Sequence, residues 1–588
     1  MGRQRVGTRI PVECDGIQVN FCKNPVCPNY GNPASAEKQP RGRRTEPRQD
    51  AYRLSTEGRS RPRLHCGRCD DRFPIKSNVA ICEEIERMAG YLQTNPELCC
   101  PNPHCDNSRL GISTPKAYYL FGKTKSGSQR YRCRACLTTF AVAREATFRQ
   151  KRAEVNALVF TLLMNKMPLK RICETAGISM DTLYRKIDFI HARCLAFAAE
   201  HERRLRELPI FRLYLSVDRQ DYVINWHQAE DKRNIQLTAI GSADNKTSYV
   251  FGIHVNHDAA ADAREVEADA DKAGDNNQLP PFRRYARLWL AQDYRAALEG
   301  RTSKRPRRRR LQDDIETGYA ETATREDVED PDVQTVETAL PRQGMLVHSS
   351  YTLYGHFYFL KRLLPRVGKF RFYMDQESGI RAACLSAFWE DVLEKRCDAF
   401  FVRVNKELTI NQKRRLKARS LRDLADFRAT SAAYEPLTDY QLRHVVMRQR
   451  IRDLVDIGKW HDQWLFYPFP DMSEPEKAVC WLTNLRDRAY DDDHLASLYM
   501  KASLHGIDRF FMQVRRRISL LERPIATASS EGRKWYGYGP YNPAIVGKML
   551  DIFRVFYNYV ERGKDRKTPA VRMGLTKTLY SIEDVLGQ

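Results

Sequence analysis

Three apolar, β-rich runs joined by polar turns fill residues 211–258, "FRLYLSVDRQDYVINWHQAEDKRNIQLTAIGSADNKTSYVFGIHVNHD". Such runs predict a three-stranded antiparallel meander. A fourth apolar strand follows at 369–379, "KFRFYMDQESG", then a helix-like stretch, "IRAACLSAFWEDVLEKR", and a fifth strand, "DAFFVRV". The aromatic-rich "MLVHSSYTLYGHFYFLKRLL" ahead of strand four predicts a core helix. Upstream of the meander the period changes. Ile172, Ala176 and Ile178, then Leu183 and Ile187, recur at helical spacing about a bend at Gly177, and Ser179 or Asp181 can cap the second helix. This is the layout of a helix-turn-helix. Residues 259–340 break the pattern: they are mostly Ala, Asp, Glu and Arg, include "RTSKRPRRRR", and predict a partly disordered charged loop.

Two acids stand inside this apolar pattern. Asp218 lies within the first strand of the meander and Asp375 at the end of the fourth. A carboxylate in a core strand is costly unless a metal or a partner uses it. The order of three strands, helical connection, strand, helix, strand is that of a ribonuclease H-like core, in which acids of the first and fourth strands sit side by side and hold divalent metal. A third carboxylate usually completes such a two-metal centre. Asp508 is the favoured candidate, near the start of a helix in "LHGIDRFFMQVRRRISLLERPI" that Pro524 would end. Glu522 stands second, and Glu407, Asp491 to Asp493 and Glu531 are further candidates. Arg515 and Arg516 on the same helix would hold DNA phosphate.

Cysteine spacing adds a second chemistry. "CKNPVC … LHCGRCDDRF" and "CPNPHC … YRCRACLTTF" write the same pattern twice, Cys-x-Asn-Pro-x-Cys, a spacer, then Cys-x-x-Cys-x-x-x-Phe. Cys22, Cys27, Cys66 and Cys69 make one quartet, and Cys100, Cys105, Cys133 and Cys136 the other. Four thiolates from two turns suit tetrahedral Zn²⁺, so two structural zinc ribbons are expected. Cys99 could replace Cys100 as a ligand.

Length and charge then set the organisation. A chain of 588 residues exceeds one core. The expected class is multidomain α+β. Ribbon one would occupy 1–95, ribbon two 96–150, the helix-turn-helix 151–205, and the catalytic core 206–588, with the charged loop at about 259–340 and an insertion at about 409–490. Lys plus Arg outnumber Asp plus Glu by 98 to 74, a net +24, which favours an acidic polymer as partner, nucleic acid first. In a helix-turn-helix the second helix enters the major groove, which would expose Tyr184, Arg185 and Lys186 to DNA. The N-terminus has no apolar signal region and no run approaches membrane-spanning length, so a cytoplasmic protein without a membrane partner is expected.

Taken in order, these motifs resemble the DDE-class transposases of bacterial insertion sequences. The second ribbon looks like the zinc-ribbon start of small members, and Asp508 with Arg509, Arg515, Arg517 and Arg523 looks like their third-acid helix, although the acid there is usually Glu. The tail "FRVFYNYVERGKDRKTPAVRMGL" is similar to the Tyr-Asn … Thr-Pro-Ala … Gly ending of many of them. The resemblance covers about 100–230, 369–404 and 505–575. It implies a DNA transposase in which Asp218, Asp375 and Asp508 hold two Mg²⁺ ions. It further implies binding to element ends and target DNA, a homodimer or larger assembly on DNA, and a nucleoid location. Two rivals are a transposase-derived DNA-binding regulator without catalysis and a metal-dependent nuclease that cuts without joining.

Overall fold

The computed structural model describes residues 8–37, 50–55, 62–93, 98–124, 127–141, 150–226, 230–299, 338–377, 379–405, 407–458, 461–484, 490–523 and 535–587, with 147, 312, 315 and 316. It is a mixed α+β, multidomain chain, and none of the described helices is long and apolar enough to cross a membrane. Two small antiparallel sheets open it. The first holds β1 (Tyr52–Ser55), β2 (Arg63–Cys66) and β3 (Arg72–Pro74), followed by α1 (Asn78–Ala89). The second holds β4 (Tyr118–Lys123), β5 (Gln129–Cys133) and β6 (Thr139–Ala141). Three helices come next: α2 (Asn156–Leu163), α3 (Leu169–Ala176) and α4 (Met180–Glu202). Gly177 ends α3 in the left-handed region, which glycine adopts without a Cβ penalty. The Ser179 hydroxyl then caps α4, accepting from the Thr182 amide.

The main sheet has eight strands. The meander is β7 (Leu213–Ile224), β8 (Ile235–Asp244) and β9 (Val250–Val255), all antiparallel. A two-residue ladder joins β10 (His257–Asp258) to β11 (Met345–Leu346). Strands β12 (Phe370–Asp375) and β13 (Cys397–Val404) run parallel to β7. Their residues are buried almost throughout, the mark of strands covered on both faces. The sheet continues through β14 (Val455–Ile457), β15 (Asp462–Phe466) and β16 (Lys477–Trp481), in the order β14-β15-β16-β13-β12-β7-β8-β9. Part of the segment expected as an insertion therefore extends the sheet itself, with β16 antiparallel to β13.

Helices cover the sheet. Between the strand pairs lie α5 (Ala263–Ala273), α6 (Ala291–Glu299), α7 (Ser349–Leu363) and α8 (Ile380–Ala387). Later come α9 (Ile410–Ala429), α10 (Asp439–Arg450), α11 (Asp492–Lys501), α12 (His505–Arg517) and α13 (Ala544–Val555). Residues 259–299, expected within a charged loop, are largely ordered instead. Asp262 caps α5, Leu288, Trp289 and Leu290 are buried, and Arg287 pairs with Glu83, Glu84 and Asp258. The basic run 301–310 lies outside the described residues. Helix α12 stops at Arg517, before Pro524, because Ile518, Leu520 and Leu521 turn inward to the core.

The cysteine turn ahead of the first small sheet and α4 are both built into this body. Phe21 meets Trp389 edge-on at 6.1 Å, and the Tyr30 hydroxyl donates to the Leu385 carbonyl at 2.8 Å. A Cβ on Gly31 would stand 2.3 Å from the Trp389 ring, so only glycine allows that approach. The far end of α4 carries Glu202, fully buried. Its carboxylate accepts from Arg554 at 2.5 Å, from the Tyr249 hydroxyl at 2.9 Å and from Tyr91. Removing one partner of a buried pair strands the other charge. We predict that Arg554→Met destabilises the protein by about 3–5 kcal/mol in denaturant unfolding; a loss below about 1 kcal/mol would show that the clasp on α4 contributes little.

Candidate active site and nucleic-acid interface

Parallel pairing of β7 with β12 sets Val217 against Met374, so the next positions, Asp218 and Asp375, are neighbours. Asp218 is 4% exposed. Carboxylate oxygens of Asp218, Asp375 and Glu377 all lie within 4.8 Å of one another. Sequence reading missed Glu377, which follows strand β12 in a turn and carries no periodic signal. Basic groups surround the cluster: Arg219 bonds Glu377 through its Nε, and Arg403 stands 3.8 Å from Asp375. Three oxygen donors fit a hard ion such as Mg²⁺ or Mn²⁺ rather than a soft metal, and such an ion would compete with Arg219 and Arg403 for them.

Helix α12 lies along the same face of β7. Ser216, Asp218 and Gln220 alternate onto one face of the strand. The Ile507 amide donates to Ser216 Oγ at 3.0 Å, and Arg515 donates to Gln220 Oε1 at 2.6 Å, so the helix touches β7 on either side of Asp218. Gly241 pairs across from Asp218, and a Cβ there would stand 2.7 Å from Ile507 Cδ1. Glycine is what lets the helix close on the sheet. Asp508 sits in the first turn of α12, half-buried. Burial pulls the Arg515 guanidinium below its ordinary range, while Asp508 and Asp218 both act on it in the opposite direction. Arg515 therefore faces this centre and is not a free surface arginine, whereas Arg516 is exposed.

The three-carboxylate group contains Glu377 and not Asp508. The other candidates have separate employment. Glu522 accepts from Tyr536 at 2.5 Å and pairs with Lys166 at 2.9 Å, which holds its carboxyl below the ordinary range. Asp491 caps α11, Asp492 pairs with Arg452 and Asp493 with Arg448. Glu407 is exposed in a loop, and Glu531 lies outside the described residues.

Both cysteine quartets assemble. Cys22 and Cys69 sulfurs lie 3.4 Å apart and Cys27 and Cys66 3.7 Å; the second quartet has Cys100 and Cys136 at 3.3 Å and Cys105 and Cys133 at 3.6 Å. Tetrahedral zinc thiolates need an edge of about 3.8 Å, so both groups fit structural zinc. Cys99 is not in either group. The repeat extends beyond the ligands. Asn29 and Asn107, each two residues past the second cysteine, donate to Cys66 and Cys133 sulfur at 3.3 Å. Tyr52 and Tyr118 hydroxyls accept from the first ligand's amide at 2.9 Å in each quartet. Such partners orient the ligands.

The two sheets differ in what surrounds them. The first also has its own small core, but it presses the turn carrying Phe21, Tyr30 and Gly31 on the main body, as described above. The second has its own small core and exposes Leu120 and Phe121. Arg130 and Arg132 lie over the Phe121 ring at 5.4 and 5.2 Å, and Arg134 over Tyr119 at 5.3 Å. Arginines interleaved with aromatics make a surface suited to nucleic acid. On α4, Tyr184 is exposed and Arg185 pairs with Asp181 in solvent. Lys186 corrects the sequence expectation. It is 2% exposed, with its ammonium donating to the Lys151 and Arg152 carbonyls at 2.7 and 2.8 Å, so it braces the chain entering α2 and cannot reach a groove in this arrangement.

No family model and no curated protein matches this chain. Among solved structures, the chain is similar to a piggyBac transposase in a synaptic complex with hairpin DNA, studied by cryo-EM. The match has 9% identity over 76% of this chain and 71% of that one, with a TM-score of 0.26. A likeness that loose carries no argument about fold or activity.

Three measurements check the centres. Asp218→Asn and Asp375→Asn should each weaken Mn²⁺ binding by at least about tenfold in calorimetry. Running Asp508→Asn beside Glu377→Gln identifies the third ligand, and unchanged affinity in all four variants would dismiss the centre. Elemental analysis should find about two zinc ions per chain. Cys66→Ser should lower the main thermal transition by more than about 5 °C, while Cys133→Ser leaves it in place. Equal shifts would contradict the unequal packing of the two sheets.

Proposed function

We propose that the protein is a DNA transposase of the DDE/DDD class, binding the ends of a mobile element and catalysing strand cleavage and strand transfer. The observation that carries this reading is the pair Asp218 and Asp375, side by side on adjacent parallel strands beneath the helix bearing Asp508. The strand order β9-β8-β7-β12-β13, antiparallel in the meander and parallel thereafter, supports reading this part as a ribonuclease H-like core. On this reading, residues 1–95 and 96–150 are zinc ribbons, 151–205 a helix-turn-helix, and 206–588 the catalytic domain.

Asp218 and Asp375, with Asp508 or Glu377, would hold Mg²⁺, which supplies activation of the attacking hydroxyl and charge stabilisation at the leaving oxygen. The chain's own groups do the positioning. Arg515 faces the carboxylates from α12 and is set to hold a phosphate beside them. Arg219, now on Glu377, is a second phosphate partner on the other flank. Element ends would be engaged by Arg130, Arg132 and Arg134 of the second ribbon and by Tyr184 and Arg185 of α4. Arg415, Arg419 and Arg422 project from the exposed side of α9 and add to the backbone-binding surface. Joining two ends to one target calls for at least a dimer on DNA.

The test separates binding from chemistry. Asp218→Asn or Asp375→Asn should reduce cleavage and joining of end-bearing DNA roughly a thousandfold or more, about 4 kcal/mol in barrier, with duplex binding retained. Arg130→Ala with Arg132→Ala should weaken duplex binding and flatten its salt dependence. Cleavage without joining in the wild-type chain would make it a nuclease, and Mg²⁺-dependent joining by both Asn variants would exclude this centre.

A further inference from the structure

Residues 535–541, "WYGYGPY", hold three large aromatic rings in solvent: Trp535 is 55% exposed, Tyr538 51% and Tyr541 45%. Their backbone is nonetheless fixed. Asn225, buried at the end of β7, donates from Nδ2 to the Tyr536 carbonyl at 2.7 Å and to the Gly539 carbonyl at 3.3 Å. Its amide donates to the Pro540 carbonyl at 3.0 Å, and its Oδ1 accepts from the Tyr536 amide at 3.3 Å. The Tyr536 hydroxyl is tied to Glu522, and Trp535 Nε1 donates to the Tyr541 hydroxyl at 3.1 Å. Both glycines are used. A Cβ on Gly537 would crowd the Trp535 ring at 3.2 Å, and one on Gly539 would meet Asn225 Nδ2 at 3.1 Å. Four hydrogen bonds from one buried side chain and its amide thus hold a loop whose large rings cover no core.

Exposed apolar groups held in a fixed frame mark an interaction surface. The chemistry of the surroundings selects the partner. Arg171 of α3, which pairs with Glu174 at 2.6 Å in solvent, lies within electrostatic reach of Tyr538, and the chain as a whole carries a net +24. Flat, amphipathic rings exposed on a strongly basic chain fit a nucleic acid strand with its bases unpaired, where each base offers a face to stack. Asn225 directly follows β7, seven residues beyond Asp218, about 23 Å along the strand direction at the usual strand rise.

We propose that Trp535, Tyr538 and Tyr541 form a stacking surface for unpaired bases of a DNA strand. The proposal rests on the reading of the protein as one that processes DNA, and adds that part of its substrate is held single-stranded. It is tested with the full chain, a single-stranded oligothymidylate and a duplex of equal length, by fluorescence anisotropy. Replacing the three rings by Ala should weaken single-strand binding by at least about tenfold while duplex affinity stays within about twofold. Replacing all three by Phe should restore much of the loss. Wild-type tryptophan fluorescence should be quenched by the oligothymidylate, and Trp535→Phe should remove that quenching, a readout that does not depend on the Ala variant's folding. Unchanged single-strand binding in the Ala variant, or an equal loss for both DNAs, overturns the stacking surface alone. A wild-type chain that binds neither DNA overturns it together with the proposed function.

Discussion

Two carboxylates on adjacent strands repel each other, by on the order of 3 kcal/mol per pair at these separations in a partly screened site. The parallel register of β7 and β12 places Asp218 and Asp375 side by side. Around it the fold gathers compensation: Arg219 on Glu377, Arg403 beside Asp375, and Arg515 within reach of Asp218 and Asp508. Other features keep the arrangement closed. Gly241 opens the space into which Ile507 fits, and Ser216 receives the first turn of α12. A cluster of like charges maintained by the sheet register, and answered by arginines rather than apolar cover, is the feature on which the proposed metal site rests.

The twice-written cysteine pattern resolves into two different uses. Ligand spacing, the asparagine to sulfur bond and the tyrosine bridge are shared. The first copy is a structural brace, with Phe21, Tyr30 and Gly31 pressed on Trp389 and Leu385. The second keeps its sheet in solvent and stacks arginines on its own aromatics. Helix α4 makes the link between outer and inner parts, since one end packs on α2 and α3 and the other carries the buried Glu202.

What could be read from the sequence was whatever broke an apolar pattern. Asp218 and Asp375 stood out because they interrupt strands, and the cysteines because zinc demands their spacing. The five strands followed from β-rich runs between turns. Hidden features were those with no periodic mark. Glu377 follows a strand in a turn, where an acid is unremarked. Lys186 sits on a helix like any solvated lysine, and only the fold brings the Lys151 and Arg152 carbonyls to it. Residues 259–299 are highly charged, so the ion pairs of Arg287 that order them could not be told from solvated charge. The joining of β16 to β13 depends on contacts across about 75 positions of sequence, beyond any local signal.

The central claim is that Asp218 and Asp375 together hold the divalent metal at which DNA is cut and joined. The direct measurement is a structure of the full chain with duplex DNA and Mn²⁺, with the metal located by its anomalous scattering. Manganese should appear between the Asp218 and Asp375 carboxylates, with a DNA phosphate beside it. Manganese bound elsewhere, or a DNA-bound chain whose two aspartates hold none, would contradict the claim.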